Sequence, residues 1–241
     1  VLDLYGRIYH TEYPDGGTSV VSFEDGEKMV REWVTRVGVV DHETIEGVEV
    51  RFEHELENGI RLMGYIDLLE SQPDGSILVR DYKTGGYVNS RDEMDQSLQI
   101  SIYIIAARAM FPGRHVRGCF DMLRHGFAHV TERTDEQLET VERYIKTLVD
   151  KAGAAEQSGE YPANVNRFCT WCDHKAVCGD YQNAINGPVP ELAGDDWGSI
   201  AAQREYLTLK GKLVKDAVAA LDRRIKVAIK ERGGQIVAGD W

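Results

Sequence analysis

The stretch 75-GSILVRDYKTGG-86 decides how the rest of the chain is read. Ile77, Leu78 and Val79 form a short apolar run suited to a buried strand. The run then delivers Asp81 and Lys83 and stops on Gly85 and Gly86. Residues two apart on a strand project to the same face. An acid and a base are therefore aimed at one place where the strand leaves the core.

Working outward, the segment 61-RLMGYIDLLE-70 precedes this strand across the turn "QPDG", and 47-GVEVRFEHEL-56 precedes that across "ENG". Tight turns between strand-like runs predict hairpins, so the sheet begins antiparallel. Downstream, 92–111 reads as a helix too apolar for a surface position, ended by Pro112 and Gly113. Two further strands follow, 115-HVRGCFDMLR-124 and 127-FAHVTERT-134, and then a helix over 134–156. Upstream, 24–37 reads as an amphipathic helix, with Met29, Val30, Trp33, Val34 and Val37 on one face. Residues 1–23 read as a hairpin, "RIYHTEY" and "TSVVSF" flanking "PDGG". A long helix is expected over about 195–232, with a last strand in "QIVAGDW". The order predicts an α/β (α+β) fold, a central mixed sheet flanked by helices with a long C-terminal helix. Pro188 and Pro190 suggest a domain of 1–187 and a helical extension of 188–241.

With 241 residues, 42% of them hydrophobic, the chain can bury a core. No apolar stretch approaches the length of a membrane span, and no secretory signal opens the chain. It starts at Val1, so elements upstream of this residue are expected, and the setting is read as cytoplasmic. The net charge of −12 argues against a generally basic nucleic-acid binder. Its distribution tempers that: between Gln96 and Val130 the only acid is Asp121, among Arg108, Arg114, Arg117 and Arg124 and three histidines.

The chemistry centres on Asp67, Asp81 and Lys83. Asp67 ends the apolar part of "MGYID", and hairpin pairing brings it beside Asp81. Two carboxylates on adjacent strands suit a hard divalent cation such as Mg²⁺ or Mn²⁺. Such an ion lowers the pKa of a bound water and stabilises charge on a phosphate, while a lysine compensates developing negative charge. On the following helix Gln99 and Tyr103, four apart, share a face and need partners among apolar neighbours. The plainer alternative makes the aspartates strand-end turn residues, Lys83 a surface lysine and Tyr103 a core tyrosine.

"G-Y-I-D", "R-D-Y-K-T-G" and "Q-I-S-I-Y", in this order, resemble the G-x-x-D, (D/E)-x-K and Q-x-x-x-Y elements of the RecB-like branch of the PD-(D/E)XK nuclease superfamily. The likeness covers about residues 45–180. It implies a restriction-endonuclease-like sheet, metal on Asp67 and Asp81, catalysis by Lys83, and Gln99 and Tyr103 completing the site and placing DNA. A further acid from the first strand, Glu49, is a candidate metal ligand. The branch also carries a histidine in a helical G-x-x-x-H. "GRIYH", Gly6–His10, fits the string, but "PDGG" argues for a strand there.

Cys169, Cys172 and Cys178 follow a C-x₂-C-x₅-C spacing, three corners of a metal site. The resemblance implies a [4Fe–4S] cluster that staples the C-terminal segment, with a fourth cysteine upstream of Val1. Cys119 as fourth ligand, or zinc completed by His174, are the alternatives. The function expected is a metal-dependent DNA exonuclease, whose basic residues, including Lys210, Lys212, Lys215, Arg223 and Arg224, track the DNA backbone. The resemblance to this branch implies a helicase or recombination partner, and no membrane is expected. The rivals are a non-catalytic iron–sulfur or zinc module that binds DNA or a helicase, and a structure-selective endonuclease.

Overall fold

The structure, a computed structural model, describes residues 2–12, 22–38, 41–191, 194 and 196–231. The chain divides into two compact units, Val1–Gln157 and Ser158–Trp241.

The first unit is built on a five-stranded mixed sheet in the order β1 (Ile45–Glu55), β2 (Arg61–Ser71), β3 (Ile77–Lys83), β4 (Val116–Met122), β5 (Phe127–Thr131). Neighbours are antiparallel except β3 and β4, which run parallel. A parallel pair needs a crossover, and here it contains α3 (Arg91–Asp95) and α4 (Leu98–Met110). Ile100, Ile104 and Ala107 of α4 are fully buried with Ile66, Ile77, Val79 and Val116 of the sheet in one core. Gly118 permits this approach: a Cβ there would lie 2.4 Å from the Ile100 Cγ2. α5 (Asp135–Ser158) follows β5 and adds Leu138 and Ile145 to the core.

The sequence predicted one helix over 92–111, whereas the structure breaks it at Gln96 and Ser97. Ser97 is extended (φ −61°, ψ 121°), and its hydroxyl caps the N–H of Ile100. Serine side chains compete with the helical backbone in this way.

The expected N-terminal hairpin is corrected. Residues Leu2–Glu12 form α1, followed by α2 (Phe23–Val37). Tyr5, Tyr9 and His10 gather around Phe23 at ring distances of 5.5, 5.2 and 5.0 Å. Helical spacing of 4 brings Tyr5 and Tyr9 to one face, so packing overrides the β-like composition. Gly6 and His10 thus lie on a helix and not on the strand expected for them. The turn "PDGG" and the strand expected in "QIVAGDW" lie outside the described residues.

In the second unit a short 3₁₀ helix (Arg167–Trp171), α6 (Gly179–Asn186) and α7 (Trp197–Glu231) pack together around buried Leu213 and Tyr181. Lys210 of α7 donates to the carbonyls of Ala184 and Gly187 at 2.9 and 2.6 Å, at the end of α6. Lys175 pairs with Asp216 of α7 at 3.2 Å. No helix among the described residues is long and apolar enough to cross a membrane.

Candidate active site

β2 stays paired with β1 from Arg61 to Glu70, and β3 with β4 from Ile77 to Lys83. The β2–β3 ladder is shorter, running only from Ser71↔Ile77 to Leu68↔Arg80. One residue beyond its last pair stand Asp67 and Asp81. The sheet opens between its second and third strands at the two carboxylates. Asp67 Oδ2 accepts the backbone N–H of Tyr82 at 2.7 Å, replacing the strand partner that this amide has lost.

Asp81 is only 2% exposed. Burial raises its pKa above the ordinary 3.8; Lys83 opposes that, and the nearby Asp67 charge adds to it. Its Oδ1 accepts from Gln99 Nε2 at 3.0 Å. Its Oδ2 has no hydrogen-bond donor. Lys83 Nζ lies 2.7 Å from that oxygen, an ion-pair contact without hydrogen-bond alignment. The ammonium instead donates to Gln99 Oε1 at 2.9 Å, and Gln99 Nε2 also donates to the Tyr103 hydroxyl at 3.0 Å. A carboxylate can only accept and an ammonium only donate, so this chain of partners fixes the orientation of the Gln99 amide. Asp67, Asp81, Lys83, Gln99 and Tyr103 form one constellation.

Gly64 of the G-x-x-D element has a packing role. It pairs with Phe52 of β1, and a Cβ on it would come within 2.9 Å of the Phe52 ring. That ring meets Tyr103 edge-on at 5.9 Å. Glycine thus lets β1 support the tyrosine.

Glu49 is placed differently from its expected role. The pairs Val48↔Leu68 and Val50↔Ile66 put it across from Asp67, but it is exposed and has a φ of 49°. Such backbone strain in a non-glycine residue concentrates at functional sites. Among the described residues, no group of three or more His, Cys, Asp or Glu side chains is gathered to hold a metal ion. Glu49 does not complete a three-carboxylate set here. His10 keeps to its ring contacts with Tyr9 and Phe23. Two carboxylates suffice for Mg²⁺, which keeps several waters. The buried Oδ2 of Asp81, countered by the Lys83 ammonium at 2.7 Å, and Asp67 beside it fit such a cation once that ammonium turns to another partner.

The cysteine trio does not converge as a set. Cys169 Sγ accepts the N–H of Asn166 at 3.3 Å, and Cys178 Sγ that of Tyr181 at 3.5 Å, while Cys172 is exposed. Cys119 is fully buried in β4 beside Arg80, and burial pushes its thiol pKa up to about 11. That suits an inert core thiol.

Sequence reasoning missed what lies behind the site. On the opposite face of β3 and β4, Asp121 is 0% exposed. It accepts from Trp33 Nε1 at 3.1 Å, from Arg80 Nη1 at 2.9 Å and from Arg36 Nη2. Arg80 also pairs with Glu70 at 2.8 Å. This network docks α2 onto the strand that carries Asp81. Beyond Lys83, Arg124 holds the carbonyl of Thr84 at 3.0 Å and Asp25 of α2 at 3.2 Å. The basic stretch supplied this clamp, but its partners are remote in sequence.

A model of the PD-(D/E)XK nuclease superfamily matches residues 23–179. The chain belongs to the PD-(D/E)XK nuclease superfamily. The match takes in α2, the whole sheet and the cysteine segment up to Gly179. The mixed sheet with its crossover helix α4 is the superfamily's restriction-endonuclease-like arrangement. No curated protein sequence matches the chain. One solved structure similar to it is a candidate exonuclease from Eubacterium rectale, at 12% identity and a TM-score of 0.44, covering 80% of this chain and 74% of that one. A likeness of that size carries no weight for fold or function.

Proposed function

We propose that the protein is a metal-dependent deoxyribonuclease of the RecB-like type, acting as an exonuclease. The observation that carries this reading is the opening of the sheet at Asp67 and Asp81. It makes room for a phosphate backbone where two carboxylates, an ammonium and an amide converge.

Asp67 and Asp81 would hold Mg²⁺ or Mn²⁺, with Glu49 as a further ligand reaching it through solvent. The bound ion supplies an acidified water and charge stabilisation on the phosphate. Lys83 stands at the opening, held between Asp81 and Gln99. It can pass from these partners to a phosphate oxygen or to the attacking water. Gln99 bridges carboxylate and ammonium and so sets their separation. Tyr103 buttresses that amide.

The division into a nuclease domain of 1–187 and an extension of 188–241 stays part of this reading: the family match runs through the cysteine segment to residue 179, while the compact units part after Gln157. A [4Fe–4S] cluster on Cys169, Cys172 and Cys178, or zinc, rests on the cysteine spacing and on the resemblance to the RecB-like branch, since among the described residues these thiols are not gathered as a metal-holding group. Four free cysteines suit a reducing, cytoplasmic setting. A role in repair or recombination beside a helicase rests only on the resemblance to the RecB-like branch.

The test compares end-labelled linear DNA with closed circles in Mg²⁺ or Mn²⁺. Degradation of linear DNA alone supports an exonuclease. Cutting of circles turns the reading to an endonuclease, and no cutting of either overturns it.

A further inference from the structure

We infer that the second unit carries a stacking platform for single-stranded DNA, made by Phe168 and Trp171. This rests on the nuclease reading for its biological sense but not for its physics. Phe168 and Trp171 are 58% and 73% exposed, with ring centroids 6.2 Å apart. Both lie on the 3₁₀ turn Arg167–Trp171, which packs on α7. Each ring is attended by its own cation: Arg167 sits 5.0 Å from the Phe168 centroid and Lys212 of α7 5.9 Å from that of Trp171. Beside Phe168 a groove of about 660 Å³, which Trp171 and Lys212 do not line, runs from Arg167 along α7 past Glu205 to Tyr206 and Leu209.

Exposed aromatic rings are costly in water and ask for a partner. Of these groups only Lys212 is of a type depleted at protein interfaces, where Arg, Trp and Phe are enriched, so the choice of occupant rests on the pairing of each ring with a cation. Unpaired bases offer flat faces for the rings while their phosphates meet the cations, the combination used by sequence-tolerant single-strand binders. α7 adds Lys215, Arg223, Arg224 and Lys226 to this charge, against Asp216 and Asp222 in the same stretch. Duplex DNA hides its bases, so the platform discriminates single strands from duplex.

The test is fluorescence-anisotropy binding of the full chain to labelled oligo(dT) and to a duplex of equal length, in EDTA so that no cleavage occurs. Trp171→Ala is expected to weaken oligo(dT) binding about tenfold or more, with Trp171→Phe largely retaining it. Lys212→Ala, outside the cysteine segment, is expected to reduce the salt dependence by about one counterion. Cleavage assays on the same proteins separate the two claims. A platform that binds in a chain without nuclease activity sinks only the nuclease reading. Unchanged oligo(dT) binding in both Trp171→Ala and Lys212→Ala, or equal affinity for duplex, overturns the platform.

Discussion

Asp67 Oδ2 accepts the backbone N–H of Tyr82 at 2.7 Å, across the gap where β2 and β3 part. One carboxylate oxygen thus closes the sheet while the other remains for a ligand. Asparagine preserves the acceptor and removes the charge; alanine removes both. Asp67→Asn should therefore melt close to wild type yet lose metal-dependent cleavage. Asp67→Ala should lose cleavage and also about 1–3 kcal/mol of stability from the stranded amide. Thermal melts beside activity assays check this, and equal melting of the two variants would contradict it.

Asp81 gives a pH signature. Burial is the chief cause of its raised pKa, so the folded protein holds this proton to a higher pH than the unfolded chain. Its contribution to stability is fully present below the unfolded value near 3.8 and is lost as pH rises through the folded one. Asp81→Asn, measured in EDTA, should melt higher than wild type at neutral pH, with the gap closing as pH falls toward that unfolded value. In the wild type, Mg²⁺ affinity should decline on acidification at a higher pH than an ordinary aspartate would dictate. A gap that does not change with pH would contradict the assignment.

Gly64→Ala would press a methyl group into the Phe52 ring, which supports Tyr103. Overpacking of this kind costs about 1–3 kcal/mol. Because the displaced ring bears on the partner of Gln99, activity should fall even at temperatures where the variant is fully folded. Full activity in a folded variant would break the proposed link from β1 to the site.

Asp121→Ala leaves Arg80 and Arg36 without their shared carboxylate in a buried setting. Breaking a buried ion pair on one side costs about 3–5 kcal/mol, or a melting shift on the order of 10 °C for a domain of this size. Calorimetry measures it. A shift within error would show that α2 is docked by other contacts.

These sites differ in how far the sequence reveals them. Asp81 and Lys83 were legible because strand alternation is local, and Gln99 and Tyr103 because helical spacing is. Asp67 needed only a hairpin. The Asp121 network was not legible, since its donors Trp33 and Arg80 lie 88 and 41 residues away. α1 was misread because tyrosine and isoleucine suit strands as well as an aromatic helix face packed on Phe23. The left-handed backbone of Glu49 has no sequence signal at all, for the string "VEVRFEHE" alternates like any edge strand.

The most direct measurement is cleavage of end-labelled linear DNA by wild type, Asp81→Asn and Lys83→Ala, with Mn²⁺ and with EDTA. The account predicts cleavage by wild type with Mn²⁺ alone, and a loss of at least about 100-fold in each folded variant. Cleavage that persists in EDTA, or equally in the variants, would contradict it.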